Sequence, residues 1–168
     1  EICSLTIDPK QLKELQHVVF IARQNQALYQ AVENLVEIPW QVIAAIHFRE
    51  SSQDFKCHLH NGDPLTARTV HVPKGRPWGG VPPFTWIESA VDALIKVWRP
   101  IVWDEAGCLE FCERYNGLGY KRKNVCSPYV WNFTNQYSCG LFVADGSFDE
   151  KKKENRPGCA AILMELVG

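Results

Sequence analysis

The chain has 168 residues, of which 46% are hydrophobic and 22% are charged, and 18 lysines and arginines are balanced by 19 aspartates and glutamates. These values are typical of a folded globular protein and exclude a disordered or fibrous chain. The balance argues against a nucleic-acid binder held by bulk charge, and no apolar run reaches the roughly 18 residues that a membrane span requires.

The predicted elements begin with a helix start at Asp8-Pro9-Lys10-Gln11. Apolar residues then recur at helical spacing as far as Val36, which favours one long amphipathic helix. Pro39 is expected to begin a second helix, whose apolar stripe ends in a carboxylate. The members of that stripe are Trp40, Ile43, His47 and Glu50.

The stretch from Ser51 to Pro83 differs in composition, with five of the ten prolines and four of the eleven glycines. It also contains the turn signal Asn61-Gly62-Asp63-Pro64. Such a segment predicts loops with a short hairpin, which would pair residues near 55–59 with residues 66–72.

Four further helices are predicted. The capping box Thr85-Trp86-Ile87-Glu88 begins the first of them, and the others are expected from Asp104 to Tyr115, from Ser127-Pro128 through Phe133, and from Pro157 onward. A turn is predicted at 144–147. The predicted fold class is therefore α+β, predominantly helical, with a small β-hairpin inserted after the second helix.

Seven cysteines are scattered along the chain rather than placed in CxxC pairs. Because this number is high for a reducing compartment, we expect an exported protein, periplasmic or extracellular, with two or three disulfides and at least one free thiol. The start EICSLTIDPK lacks the layout of a signal peptide, so we expect that a signal was removed before Glu1.

Glu50 is the candidate catalytic residue. A Glu at the end of an apolar stripe either is solvated, as most are, or lies in a poorly hydrated pocket, where desolvation disfavours the anion. A carboxylic acid that stays protonated near neutral pH is a usable general acid, and cleavage of a glycosidic bond needs one.

The run Arg49-Glu50-Ser51-Ser52 at a helix end, followed later by Tyr115-Asn116-Gly117, resembles the lysozyme superfamily. In goose-type lysozymes and soluble lytic transglycosylases, a Glu-Ser pair at a helix end carries the catalytic acid, and a Tyr-Asn pair lines the same cleft. The pattern of elements is similar over residues 38–168. The resemblance implies one lysozyme-like domain over 1–168, with an N-terminal helix in 1–37 and a catalytic core in 38–168.

Phage-type lysozymes are a second comparison, because Asp63 and Thr69 have the six-residue separation of their hairpin Asp and Thr, although the gap from Glu50 to Asp63 is longer here. Asp63 would be the second carboxylate of an inverting hydrolase, and Thr69 would help to hold the attacking water. If Asp63 points away, Glu50 acts alone and the sugar's own 6-hydroxyl closes an anhydro ring, as the transglycosylase resemblance implies. Asp63 as a simple turn residue remains an alternative.

The resemblance also gives candidate substrate-binding residues. Tyr115 would orient Glu50 or the substrate, Asn116 would shape the cleft floor, and Ser51 accompanies the acid; a helix cap and a partly buried ring are the alternatives for the Tyr-Asn pair. The stretch from His58 to Pro73 is similar to lysozyme-like proteins of bacteria and their phages, which adds His60. Trp78 in the Gly/Pro-rich loop is the aromatic residue expected to hold a sugar ring, ahead of the helix-borne Trp86.

The sequence therefore predicts a glycan-cleaving enzyme, a muramidase or a lytic transglycosylase, that acts on peptidoglycan or a related polysaccharide without a cofactor or metal. No nucleic-acid partner and no membrane span are expected. The alternatives are a catalytically silent lysozyme-like module that binds glycan or protein, and a chitin-directed glycosidase. A thiol nucleophile at Cys57, or a metal site among His47, His58, His60 and His71, is a weaker alternative, since the spacing matches no established signature.

Overall fold

The computed structural model describes residues 5–144 and 146–168. Within these residues the chain forms eight α-helices, a short 3-10 turn and one two-stranded antiparallel sheet, which confirms the α+β, predominantly helical class. None of the described helices combines the length and apolar character that crossing a bilayer demands.

The backbone groups into two compact units. The central unit comprises residues 21–103, and the terminal unit comprises residues 5–20 together with the described part of 104–168. The expectation of one lysozyme-like domain over 1–168, with a catalytic core in 38–168, stays a prediction.

The expected long N-terminal helix is interrupted at Asn25. Helix α1 spans Leu12–Gln24 and helix α2 spans Gln26–Val36. The Asn25 side chain donates a hydrogen bond to the Ile21 carbonyl at 2.9 Å, and its backbone (φ −107°, ψ 16°) departs from helical values. Short polar side chains compete for backbone groups in this way, so the prediction of one continuous helix is wrong.

Helix α3 (Trp40–Ser51) lies in the core of the central unit, and every side chain from Val42 to Arg49 is buried. Pro39 precedes it, as predicted. Helix α2 packs against both α3 and α4 (Trp86–Ile95). A helix that is apolar nearly all round needs such cover on several sides.

The predicted start of α4 is confirmed. The Thr85 hydroxyl accepts a hydrogen bond from the Glu88 N–H at 3.2 Å, and the Glu88 carboxylate accepts one from the Thr85 N–H at 2.7 Å. Together these bonds satisfy two of the donors that every helix start leaves without an intrahelical partner.

Residues 52–85, all of which are described, form irregular loops with one isolated bridge between Cys57 and Pro64. The prediction of a hairpin after α3 is therefore wrong. The five prolines lack the N–H donor that a strand ladder requires, and the Asp63 carboxylate takes up the N–H groups of Val70 and His71. The small sheet lies instead in the terminal unit, where β1 (Leu141–Ala144) pairs with β2 (Ser147–Asp149).

Three helices of the terminal unit fall close to their predicted places: α5 (Glu105–Asn116), α7 (Pro128–Trp131) and α8 (Cys159–Val167). The short helix α6 (Gly119–Arg122) is an element that was not predicted from the sequence. Helix α7 ends two residues before Phe133, and α8 begins two residues after Pro157. The predicted turn at 144–147 joins β1 to β2, and its residue Asp145 lies outside the described residues.

The cysteines give a correction. The six described cysteines are free thiols, so the expected two or three disulfides are not formed among them, and Cys3 lies outside the described residues. Cys112 on α5 and Cys159 on α8 are both fully buried. Their mutual hydrogen bond, together with burial, raises the pKa of Cys112 well above its ordinary value. In this setting a cysteine acts as a small apolar side chain.

Candidate active site

Glu50 lies in the last turn of α3 and is half-buried. The helix ends there because Ser52 and Gln53 have left-handed backbones, with φ of 53° and 63°. The following loop then returns to this helix end, where Gly62 has a φ of +80° and a Cβ added to it would lie 3.1 Å from the Glu50 carbonyl oxygen. Only glycine permits this close approach without strain.

Ser51, the neighbour of Glu50, contributes to the same helix end. Its hydroxyl donates a hydrogen bond to the His47 carbonyl at 3.4 Å. The local role of Ser51 is therefore to satisfy a carbonyl of the last turn, and substrate contact by Ser51 stays a prediction.

One turn before Glu50, His47 anchors α3 in an aromatic cluster and is 0% exposed. Its Nδ1 lies 3.0 Å from the Tyr29 hydroxyl, and its Nε2 lies 3.1 Å from the Trp86 indole nitrogen, which donates to it. Burial is the main cause that lowers the pKa of His47 to about 4, against an opposing effect of Asp54. The ring is therefore neutral near pH 7 and fixes the helix that carries Glu50.

Asp63 is buried in the loop, and both of its carboxylate oxygens accept hydrogen bonds. Oδ1 accepts from His71 Nδ1 at 2.6 Å, and Oδ2 accepts from the N–H groups of Val70 and His71 at 2.8 and 2.9 Å and from Asn61 Nδ2 at 3.2 Å. Burial alone would raise the pKa of Asp63, but the bonds from His71 and Val70 outweigh it and lower the pKa to about 2. Asp63 is thus ionised near neutral pH, and its hydrogen bonds stabilise the loop.

Thr69 is 3% exposed and also serves the loop. Its hydroxyl donates to the Pro73 carbonyl and accepts from the Arg76 N–H at 2.9 Å. Because a hydroxyl has a single proton to donate, the Thr69 donor is already in use. These contacts do not favour the predicted role of holding an attacking water.

His60 is held by a carboxylate that sequence reasoning missed. Its side chain is 1% exposed, and its Nε2 lies 2.7 Å from Asp92 Oδ2 on α4. Burial lowers the pKa of His60, and the contact with Asp92 opposes that effect. So little exposed surface does not favour the predicted substrate contact, and the observed contact of His60 is with Asp92.

Ser89, His60 and Asp92 have the residue types of a hydrolytic triad, with Ser89 Oγ 3.4 Å from His60 Nδ1. Ser89, however, is 0% exposed within α4. Its hydroxyl oxygen accepts from the Leu59 N–H at 3.2 Å and lies 2.8 Å from His58 Nδ1. The hydrogen bonds of Ser89 therefore hold the 52–85 loop against α4, and the buried Ser89 hydroxyl is not an accessible nucleophile.

A groove of about 440 Å³ opens beside Asp92 in the central unit. Its lining consists of Pro73, Lys74, Arg76, Trp78, Asp92, Ile95 and Lys96. Trp78 is 78% exposed, whereas Trp86 is only 6% exposed. Of the two tryptophans considered from the sequence, Trp78 is the one that offers a surface to a ligand.

Tyr115 and Asn116 lie in the terminal unit, in the last turn of α5. Tyr115 is half-buried and Asn116 is exposed. Gly117 ends the helix with a φ of 94°, and its N–H bonds to the Arg114 carbonyl at 3.1 Å. The predicted helix end is confirmed locally, and the roles of the Tyr-Asn pair toward Glu50 stay predictions.

The two weaker alternatives gain no support. Across residues 5–144 and 146–168, no three histidine, cysteine or acidic side chains meet in a geometry that could hold a metal ion. Cys57 Sγ donates to Asp54 Oδ2 at 3.5 Å, and burial together with Asp54 raises the pKa of this thiol. A protonated thiol is a poor nucleophile.

No protein-family model, curated protein or solved structure matches this chain. Function is therefore inferred from the chemistry of the residues themselves.

Proposed function

We propose that this protein cleaves the β-1,4 linkages of peptidoglycan between N-acetylmuramic acid and N-acetylglucosamine, with Glu50 as the general acid. The observation that carries the proposal is a half-buried glutamate in the last turn of the buried helix α3. The carboxyl end of a helix bears partial negative charge, which disfavours a second negative charge there. Desolvation of a carboxyl group, where it occurs, acts in the same direction.

The hydrogen bonds of Asp63 favour a mechanism with one carboxylate. An inverting hydrolase needs a second carboxylate roughly 6.5–9.5 Å from the acid that is free to activate a water. Here the oxygens of Asp63 are taken up by His71, Val70 and Asn61. The route of the lytic transglycosylases, which the chain resembles, needs no second carboxylate.

In that route Glu50 donates its proton to the glycosidic oxygen while the bond from that oxygen to C1 of the muramic acid breaks. The Glu50 carboxylate then accepts the proton of the 6-hydroxyl on the same sugar, and the hydroxyl oxygen forms a bond to C1. No water is consumed and Glu50 ends protonated, ready for another cycle. The product carries a 1,6-anhydro ring. Such an enzyme works in the periplasm or outside the cell.

The test compares Glu50→Gln with Glu37→Gln, a matched control at an exposed residue just after α2 in the same unit. Loss of a general acid reduces the rate about 10²- to 10⁴-fold. We expect Glu50→Gln to lose clearance of a cell-wall suspension to that extent, while Glu37→Gln retains it. Product masses lower by one water than those of a hydrolase would support the anhydro route.

Three results would count against the proposal. Retained clearance by a folded Glu50→Gln protein would remove Glu50 from the chemistry. Binding to cell walls without any clearance by the unmodified protein would indicate a silent glycan-binding module. Faster cleavage of chitin oligosaccharides than of peptidoglycan would indicate a chitin-directed glycosidase.

A further inference from the structure

The groove beside Asp92 has the features of a ligand site that the cleavage chemistry of Glu50 does not use. We propose that it is a subsite for an N-acetylmuramic acid unit with its attached peptide, and that Lys74 and Lys96 recognise the carboxylates of that peptide. The identity of the polymer rests on the proposed function, whereas the recognition itself is tested by binding and not by cleavage.

Trp78 provides the surface on which a sugar ring can stack. It is 78% exposed, and the Arg76 guanidinium lies 4.3 Å from its ring centroid, a cation–π distance. The guanidinium covers one face of the indole and leaves most of the side chain open. A flat apolar face of this size suits the apolar side of a pyranose.

Asp92 holds both Arg76 and Trp78 in place. Arg76 Nε lies 2.8 Å from Asp92 Oδ2, and the guanidinium also donates to the Asp92 carbonyl at 3.2 Å. The Trp78 N–H donates to Asp92 Oδ1 at 3.4 Å. Because His60 fixes the same carboxylate, an exposed tryptophan is ordered before any ligand arrives. Such preorganisation reduces the entropy lost on binding.

The charges of the groove favour an anionic ligand. The charge of Asp92 is compensated by Arg76, while Lys74 and Lys96 are exposed in the lining. Within the described part of the chain neither lysine has an ion-pair partner. The groove therefore carries excess positive charge on a protein whose net charge is −1. A cleft lined by one sign of charge concentrates ligands of the opposite sign.

The size and apolar lining are compatible with a sugar that carries a peptide. A volume of about 440 Å³ lies within the range of roughly 300–1,000 Å³ of small-molecule sites. Pro73 and the 58% exposed Ile95 add apolar surface beside the lysines. Neutral chitin has the same backbone sugar but no carboxylate, so this groove would distinguish the two polymers.

The experiment measures binding by titration calorimetry on the Glu50→Gln protein, so that bound glycan remains intact. The probes are a muramic acid-containing disaccharide with its peptide, the free peptide, and a neutral chitin oligosaccharide. We expect the peptide-bearing disaccharide to bind most tightly, and the Lys74→Gln/Lys96→Gln double variant to weaken it about three- to ten-fold. That variant should leave the neutral oligosaccharide unaffected, whereas Trp78→Ala should weaken both glycans.

Lys153→Gln is the matched control, because Lys153 is an exposed lysine of the terminal unit and should change no affinity. Equal affinities for the charged and neutral glycans would overturn carboxylate recognition. Equal affinities for the disaccharide and its free peptide would overturn the proposal that a sugar ring stacks on Trp78. Cleavage by Glu50 is read separately from turbidity, so either proposal can fail while the other stands.

Discussion

His71 contacts both oxygens of Asp63. Its Nδ1 lies 2.6 Å from Oδ1, and its backbone N–H donates to Oδ2 at 2.9 Å. These bonds join two positions eight residues apart and close the loop where a hairpin was expected. The Asp63 carboxylate thus provides the hydrogen bonds that a pair of strands would otherwise provide. The main role of Asp63 that the structure shows is therefore to stabilise the loop.

We expect Asp63→Asn to lower the free energy of unfolding at pH 7 by about 1.5–3 kcal/mol, the range for hydrogen bonds to charged groups. The substitution leaves one amide oxygen where a carboxylate now accepts from four N–H groups, those of the His71 ring, the Val70 and His71 backbones and the Asn61 side chain. Cleavage by the folded variant should stay within about ten-fold of the unmodified protein, unlike that of Glu50→Gln. Denaturant unfolding and turbidity assays measure the two effects. Complete loss of cleavage by a folded Asp63→Asn protein would restore the two-carboxylate mechanism.

The same residue predicts an acid dependence. The pKa of Asp63 is lowered from 3.8 to about 2 in the folded protein, so its contribution is present above pH 3.8 and is lost as the pH falls toward 2. We expect unfolding free energy to decrease across that interval in the unmodified protein and less so in Asp63→Asn. Parallel curves for the two proteins would contradict the assignment.

His47 predicts a separate window at higher pH. Its pKa is lowered from 6.5 to about 4 by burial, so the unfolded chain binds more protons between these values and stability falls as the pH drops from 6.5 to 4. His47→Gln should reduce this slope and lower the free energy of unfolding at pH 7 by about 1–3 kcal/mol, since Tyr29 and Trp86 lose a buried partner.

The control for His47 is His17→Gln, at an exposed position of α1, which should keep the slope. Part of the slope will persist in His47→Gln, because burial also lowers the pKa of His60. An unchanged slope in His47→Gln would show that the His47 ring does not titrate as its burial requires.

The helix starts could be predicted from sequence because capping is local. Asp8, Thr85 and Asp104 each accept a hydrogen bond from an N–H two or three residues later. Because the capping residue and its donor are so close in sequence, the residue types alone predict the cap. The interruption at Asn25 is also local, but an asparagine in an amphipathic pattern is compatible with either outcome.

The structure of the 52–85 loop and of the groove could not be predicted, because the residues that contact one another there are far apart in sequence. Asp92 pairs with His60 and Arg76, which precede it by 32 and 16 residues in the chain. In sequence it is one acidic residue on a helix surface. Asp63 was identified as important, but the backbone donors that occupy it follow from the folded loop and cannot be read from the spacing between Asp63 and Thr69.

Gly158 allows a close approach of backbone to backbone in the terminal unit. A Cβ at this position would lie 2.5 Å from the Val130 carbonyl oxygen and 2.7 Å from the Asn132 nitrogen. We expect Gly158→Ala to lower the free energy of unfolding by about 1–3 kcal/mol, as overpacking does. Gly79→Ala is the matched control, since a Cβ there meets nothing within 4 Å. Equal thermal stability of the two variants would contradict this packing.

The thiols predict a pattern of alkylation. Cys126 is exposed, whereas Cys112 and Cys159 are buried. In native protein, iodoacetamide should modify Cys126 first and leave the buried pair intact, because reaction needs an accessible thiolate. In denaturant without reductant, mass spectrometry should find all six described cysteines alkylated. Two cysteines that stay unlabelled in denaturant would reveal a disulfide. That result would support the disulfides expected from the cysteine count.

The 52–85 segment owes its shape to individual side chains such as Asp63, Thr69 and Asp92. A ladder of backbone bonds tolerates most residue types, but a scaffold of this kind depends on the chemistry of each member. Single amino-acid changes in the segment can therefore remodel the ligand-facing surface while the helical framework beneath it is preserved. The surface of the groove around Trp78 is accordingly more sensitive to single substitutions than the helices that support it.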